Sequence, residues 1–235
     1  MAKYMNTMLK ASHAKLHLMI HHVGKRELAH AQIALFAAIA LQVLVWKIND
    51  QLLIGPQYII IPTEILLAFI IGFTANIQPT HRRVVHHTFA SILIGLISIA
   101  NITSLVLVLH SLIVTHATFD GAHLLSSALA IFMTNIIVFA LWYWEIDSPG
   151  LSGKRWSKRD KDFQFTQQDM KQDFPGWQPT FFDYLYVSIT NAINFAPSDT
   201  KPLTHGAKLL MGAQALVSIF TLALVIARSV NILGS

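Results

Sequence analysis

The sequence predicts an all-α, polytopic membrane protein of about five transmembrane helices plus a short re-entrant, pore-like helix. Three observations carry the prediction. Of 235 residues, 54% are hydrophobic and only 12% are charged, against about 25% charge in an ordinary soluble domain. The apolar residues fall into five long runs, at 28–46, 58–77, 88–114, 123–144 and 209–232, close to the roughly 20 residues that a helix needs to cross a hydrocarbon core. Between the fourth and fifth runs lies a shorter helical segment that starts near Asp183, runs for about three turns and ends near 191–194, where Pro197 forbids continuation.

Residues 1–27 precede the first run. Tyr4, Met5, Met8, Leu9, Leu16, Met19, Ile20 and Val23 recur at spacings of three and four among lysines, which suits an amphipathic helix on the anionic cytoplasmic leaflet, a packed helix or a tail. No apolar run ends there in a small-residue cleavage site, so the chain is expected to insert through its first span. Residues 28–147 make a four-helix transmembrane bundle, 148–179 a polar loop, and 180–235 a pore-loop-like helix, its loop and the last span. Gly55-Pro56 marks the first interhelical turn. In the long loop, Trp156, Phe163, Phe165, Phe174 and Trp177 are expected to pack back against the membrane surface. Trp142, Tyr143 and Trp144 close the fourth run as an interfacial aromatic belt.

Cytoplasmic loops retain Lys and Arg, and fifteen of the seventeen fall on one side of the five-span arrangement, leaving Lys47 and Arg228 on the other. The N-terminus is therefore expected in the cytoplasm and the C-terminus outside, in a bacterial inner membrane. The same retained charge accounts for the basic pI of about 9.5 without nucleic-acid binding. The chain has no Cys, which removes disulfides and thiolate metal sites. No nucleophile elbow or phosphate loop is present, so neither enzymatic activity nor a cofactor is expected.

Glu64 is the most informative single residue, an ionisable group inside an otherwise apolar span. The five-span topology puts the start of span two and the end of span five on one side, so Arg228 is its expected partner. The pair reads either as an ion or proton site or as an interhelical tie. Pro62 frees a backbone carbonyl near Glu64. Asn101, Thr103, Thr134 and Asn135 read as interhelical hydrogen-bonding groups. Of twelve histidines, His13, His17 and His21 share a helix face, while His110, His116 and His123 gather near Asp120. Both clusters read first as pH-sensitive surface charge or interfacial polar residues, with a divalent metal site, for which imidazoles at i and i+4 are a known geometry, as the alternative.

Residues 184–228, YLYVSITNAINFAPSDTKPLTHGAKLLMGAQALVSIFTLALVIAR, resemble the pore helix, filter loop and inner helix of tetrameric pore-loop cation channels. In potassium channels the loop reads Thr-Val-Gly-Tyr-Gly-Asp, followed by Pro, Thr and a basic residue. Here the frame is Asp199, Pro202, Thr204 and Lys208, with Asn194, Phe195, Ala196, Pro197 and Ser198 at the filter positions. Potassium filters use Gly to turn successive carbonyls toward the ion, and Pro197 fixes its own φ, so a potassium-selective carbonyl ladder is not expected. The resemblance implies an oligomer, a tetramer by analogy, with Asn191, Asn194, Ser198 and Asp199 lining a wider pore or with the loop as a structural plug. Charge counting places this loop in the cytoplasm, as in the inverted pore loop of ionotropic glutamate receptors, with an extracellular basic loop as the alternative. FALWYWEID, FQFTQQD and DYLYVSITNAINFAPSDTKPLTHGAKLLM together resemble a family of uncharacterised bacterial multi-span membrane proteins.

The function expected is permeation of ions or small solutes by a homo-oligomer in the lipid bilayer, without potassium selectivity. The alternative is a non-transporting membrane scaffold or sensor in which the degenerate loop is structural.

Overall fold

The computed structural model describes residues 25–48, 57–74, 82–113, 121–147, 161–170, 172–194 and 199–233. They form α1 (Lys25–Ile48), α2 (Gln57–Thr74), α3 (Arg82–Ile113), α4 (Gly121–Asp147), β1 (Phe163–Phe165), α5 (Thr166–Asp169), α6 (Phe181–Asn194), β2 (Thr200–Pro202) and α7 (His205–Leu233).

Among the described residues four helices are long and apolar enough to cross a membrane: Ala29–Ile48, Thr88–His110, Ala122–Asp147 and His205–Ala227. The fifth expected run lies in α2, whose apolar stretch Ile61–Ile70 is shorter than these. At 18 residues, α2 is about 27 Å long.

Contacts between named side chains give the helix directions. Trp142 Nε1 donates to Ser98 Oγ and Asn101 Nδ2 donates to the Ile131 carbonyl, so α3 and α4 run antiparallel. The Gln42 amide donates to the Ile97 carbonyl, and Val45 shares a core cluster with Leu105, Leu124 and Ala128. The end of α1 therefore lies toward the start of α4. At the opposite end the His30 ring of α1 meets Phe182 at a tilt, 4.8 Å between ring centroids, and Phe181 meets Trp144. α1 and α3 thus share one direction, and α2 carries the chain back between them.

The core between α1, α2, α3 and α4 is made of small and branched residues: Ala31, Leu35, Ala38, Ala68, Ala90, Leu93, Ile94 and Ile97 are all essentially inaccessible. Small side chains let helix backbones approach closely, which matters in a bilayer, where van der Waals packing rather than the hydrophobic effect drives helix association. Ile33, Leu66, Phe69, Ile99 and Leu209 are left outward on the helices, as lipid-facing residues would be.

α4 is the most enclosed span, with 72% of its apolar window buried. Its neighbours include α1, α3, α6 and α7. Tyr143 and Trp144 are fully buried and Trp142 is half-buried, so the Trp-Tyr-Trp run is interior packing and corrects the expected interfacial belt. The loop aromatics divide in the same way. Phe163 and Phe165 enter the core, Trp177 packs beside it, and Phe174 stays exposed; Trp156 lies outside the described residues.

Candidate functional site

The chain leaves and re-enters the bundle at one end, and Asp147 organises that end. Its Oδ1 accepts the backbone N–H of Asp162 at 2.6 Å and of Phe163 at 3.0 Å, and its Oδ2 accepts the Tyr184 hydroxyl at 2.6 Å. The last residue of α4 thereby fixes both the strand that follows the polar loop and the first turns of α6. β1 then pairs antiparallel with β2, Phe163 opposite Pro202 and Phe165 opposite Thr200. Phe165 meets the Tyr184 ring edge-on at 5.3 Å and Phe163 meets Tyr143 at 5.2 Å, a geometry that aromatic quadrupoles favour.

α6 begins at a side-chain cap. Asp183 Oδ2 accepts both the backbone N–H and the hydroxyl of Thr180, at 2.7 and 2.8 Å, and its negative charge suits a helix N-terminus. From there α6 descends antiparallel to α4: Phe181 lies by Trp144, Ser188 donates to the Ile136 carbonyl at 2.6 Å, and Ala192 packs with Phe132 and Ile136. The twelve residue steps of α4 between Trp144 and Phe132 correspond to about 18 Å of depth. By Asp199 the chain is back at the starting end, where the Asp199 carbonyl accepts the N–H and hydroxyl of Thr166. Thr204 then caps α7, accepting the Ala207 N–H while donating to Asp162 Oδ1. The segment 181–204 is therefore re-entrant in its geometry.

The inward face of α6 is held by polar groups. Gln214 of α7 is fully buried; its Oε1 accepts the Tyr143 hydroxyl at 2.5 Å and Asn191 Nδ2 at 2.8 Å, and its Nε2 donates to Ser188 Oγ at 2.7 Å and to the Ser188 carbonyl at 3.0 Å. Asn191 Nδ2 also donates to the Met211 carbonyl at 3.0 Å. Deeper, Asn135 of α4 donates to Ser218 of α7 at 2.9 Å. Buried polar groups cost free energy unless paired, and these three helices pair them with one another.

Among the filter-equivalent residues, Asn191 belongs to this internal network and Asn194 is exposed at the end of α6. Phe195, Ala196, Pro197 and Ser198 lie outside the described residues. Asp199 is exposed and its carboxylate accepts the Tyr186 hydroxyl at 3.3 Å. Of the remaining frame, Pro202 ends β2, Thr204 is the α7 cap and Lys208 is exposed on the first turn of α7.

Glu64 is buried in α2, on the face that carries Ile61 and Ala68, and neither carboxylate oxygen has a hydrogen-bond partner among the described residues. The Arg228 side chain lies outside the described side chains, so the expected pair does too. Of the polar span residues, Asn101 and Asn135 join neighbouring helices, whereas Thr103 and Thr134 bond back to carbonyls of their own helices, Ile99 and Ala130. The expectation of interhelical ties thus holds for the two amides and is corrected for the two hydroxyls, which satisfy themselves one turn back. His110 and His123 are exposed; His13, His17, His21 and His116 lie outside the described residues. No group of three or more His, Cys, Asp or Glu is placed to hold a metal among the described residues.

Sequence reasoning missed Gln214 and Asp147. A lone Gln in the apolar run of α7 was the available signal for the first, equivalent in kind to the Glu64 signal. Comparison with protein-family models, with curated proteins and with solved structures finds no match for this chain.

Proposed function

We propose that this integral membrane protein is a channel-like homo-oligomer of a bacterial inner membrane that passes ions or small solutes without a potassium filter. The observation that supports it is the re-entrant course of 181–204, which brings the end of α6 to about 18 Å below the Trp144 level and leaves Asn194 exposed there. The outward face of α6 is apolar, with Phe182, Tyr186, Ile189 and Ile193 exposed at helical spacing, as expected of a pore helix that packs against neighbouring copies. Asn194 and Asp199 then face the axis of the assembly, and α2 serves as the fifth span.

Orientation follows from where the charges gather. The starts of α1, α3 and α7 and the end of α4 share one end of the bundle, and the chain segments at that end carry the Lys and Arg excess, while Lys47 lies at the other. That end is assigned to the cytoplasm, so the re-entrant segment enters from the cytoplasmic side.

A second reading is favoured by a different observation. Ser188 and Asn191, the polar residues of the inward face of α6, bond within their own chain, which suits a re-entrant segment that stabilises a scaffold or sensor. Flux through the purified protein in liposomes separates the two. Cation or anion flux altered by substitutions at Asn194 or Asp199 supports the channel; absence of flux at every voltage and pH overturns it in favour of the scaffold.

A further inference from the structure

Among the described residues the buried side-chain polar atoms without a partner are Gln42 Oε1 and Trp46 Nε1 of α1, both Glu64 oxygens of α2 and Trp144 Nε1 of α4, so three of these four residues lie on α1 and α2. Glu64 of α2 has zero exposure and two partnerless oxygens, and Gln42 of α1, 6% exposed, uses its Nε2 on the Ile97 carbonyl but leaves Oε1 without a donor. Glu64 lies seven residues from the start of α2 and Gln42 six residues from the end of α1. Since the two helices run in opposite directions, both lie about 10 Å along their helices from that end of the pair. Gln42 in turn sits level with Ile97, near the middle of the apolar stretch Thr88–His110 of α3. An acid and a free amide oxygen are thus placed at one depth, well inside the apolar layer.

The chemistry of these atoms selects the ligand. A carboxylate in an apolar interior without a counter-charge is costly, whereas a neutral carboxylic acid is a donor, and a donor is what Gln42 Oε1 lacks. Other titratable groups on the elements packed against α2 are remote or outward. His30 and Lys47 on α1 and His110 on α3 are exposed near helix ends, and on α2 the only other ionisable residue is Tyr58, in the first turn and beyond the described side chains. Lys25, Arg26 and Glu27 of α1 and Arg82, Arg83, His86 and His87 of α3 belong to the first turns, at the far end of both helices from Gln42 and beyond the described side chains.

We propose that Glu64 and Gln42 form an intramembrane proton-binding site, in which the Glu64 carboxyl takes up a proton and its O–H donates to Gln42 Oε1. The step is a simple protonation: the proton comes from water, adds to one carboxylate oxygen, and returns to water on release. A proton needs no cavity, and the amide that receives the hydrogen bond is anchored to α3 through Ile97, so the protonation state of α2 is transmitted to the packing of α1 and α3. The assignment is independent of whether the re-entrant segment conducts.

Infrared difference spectra of the full chain in liposomes, titrated with pH, test it. A neutral carboxylic acid has a carbonyl stretch that a carboxylate lacks. A band that grows on acidification, fades on alkalinisation and is missing from Glu64→Gln is expected. In Glu64→Asp the band persists at a shifted frequency, which keeps the test available if Glu64→Gln does not fold. Gln42→Leu is expected to move the band frequency and to lower the pH at which it appears, because the neutral form has lost its acceptor. A Glu64 band present at every pH, or at none, overturns the proton site, and an unaltered band in Gln42→Leu overturns the role of Gln42.

Discussion

The Tyr184 hydroxyl donates to Asp147 at 2.6 Å, tying the second turn of α6 to the last residue of α4. The same carboxylate also takes two backbone N–H groups, those of Asp162 and Phe163. One side chain therefore organises the end of the bundle at which the re-entrant segment starts and finishes. Replacing Asp147 with Ala removes the acceptor of all three bonds. With each hydrogen bond to a charged acceptor contributing about 1.5–3 kcal/mol, the loss is expected to exceed about 3 kcal/mol, while Tyr184→Phe, which removes one bond, costs about 1–2 kcal/mol. Thermal unfolding of the two variants in detergent micelles checks the order; equal losses would contradict it.

Gln214 is the hub of the second tie. It receives Tyr143 and Asn191 and donates to Ser188, so α4, α6 and α7 meet at one amide. Gln214→Leu takes the acceptor from the Tyr143 hydroxyl and one partner each from Asn191 and Ser188, which keep the Met211 and Ile136 carbonyls, and is expected to cost about 1–3 kcal/mol. Adding Asn191→Leu should cost much less than the sum of the single changes, because both variants break the same network. The double-mutant cycle measures this coupling, expected at about 1 kcal/mol or more. Simple additivity would mean that the two amides act separately.

The spans were legible because a bilayer imposes one requirement, a long apolar run, and composition alone reveals it. α6 was legible for a different reason: Pro197 must stop a helix. The pairing of Phe163–Phe165 with Thr200–Pro202 was not, since three-residue strands carry too few alternations to show a period. The Trp-Tyr-Trp run misled for a physical reason. Aromatic residues near a span end suit an interface equally well as a core, and only the re-entrant helix and β1 packed over them make Tyr143 and Trp144 interior. Gln214 shows the converse limit. A polar residue in a span announces that it needs partners, but Tyr143, Ser188 and Asn191 become its partners only through the fold.

Thr204 has two tasks at the start of α7. Its oxygen caps the Ala207 N–H, and its hydroxyl proton goes to Asp162. Thr204→Ser keeps both functions and is expected to unfold within about 0.5 kcal/mol of the parent. Thr204→Val, close in shape but without the hydroxyl, should lose about 1–2 kcal/mol, the scale of an N-cap. Thermal unfolding compares them, and a Val variant as stable as the Ser variant would remove the cap from the account.

Glu64 is expected to behave in the opposite sense to Gln214. Removing Gln214 abandons its partners, whereas Glu64 has none to abandon among the described residues. At a pH where the carboxyl is ionised, and so cannot donate to Gln42 Oε1, its removal lifts the cost of burying an unsatisfied group, about 1–3 kcal/mol, and Glu64→Leu keeps most of its volume between Ile61 and Ala68. The expected result is a more stable protein, by about 1 kcal/mol or more, that has lost its titrating group. A residue kept at a cost to stability is characteristic of a functional site. Equilibrium unfolding of Glu64→Leu beside the parent reads the sign directly. A large destabilisation would show that the carboxyl holds the bundle together, and would return Glu64 to the structural role of an interhelical tie.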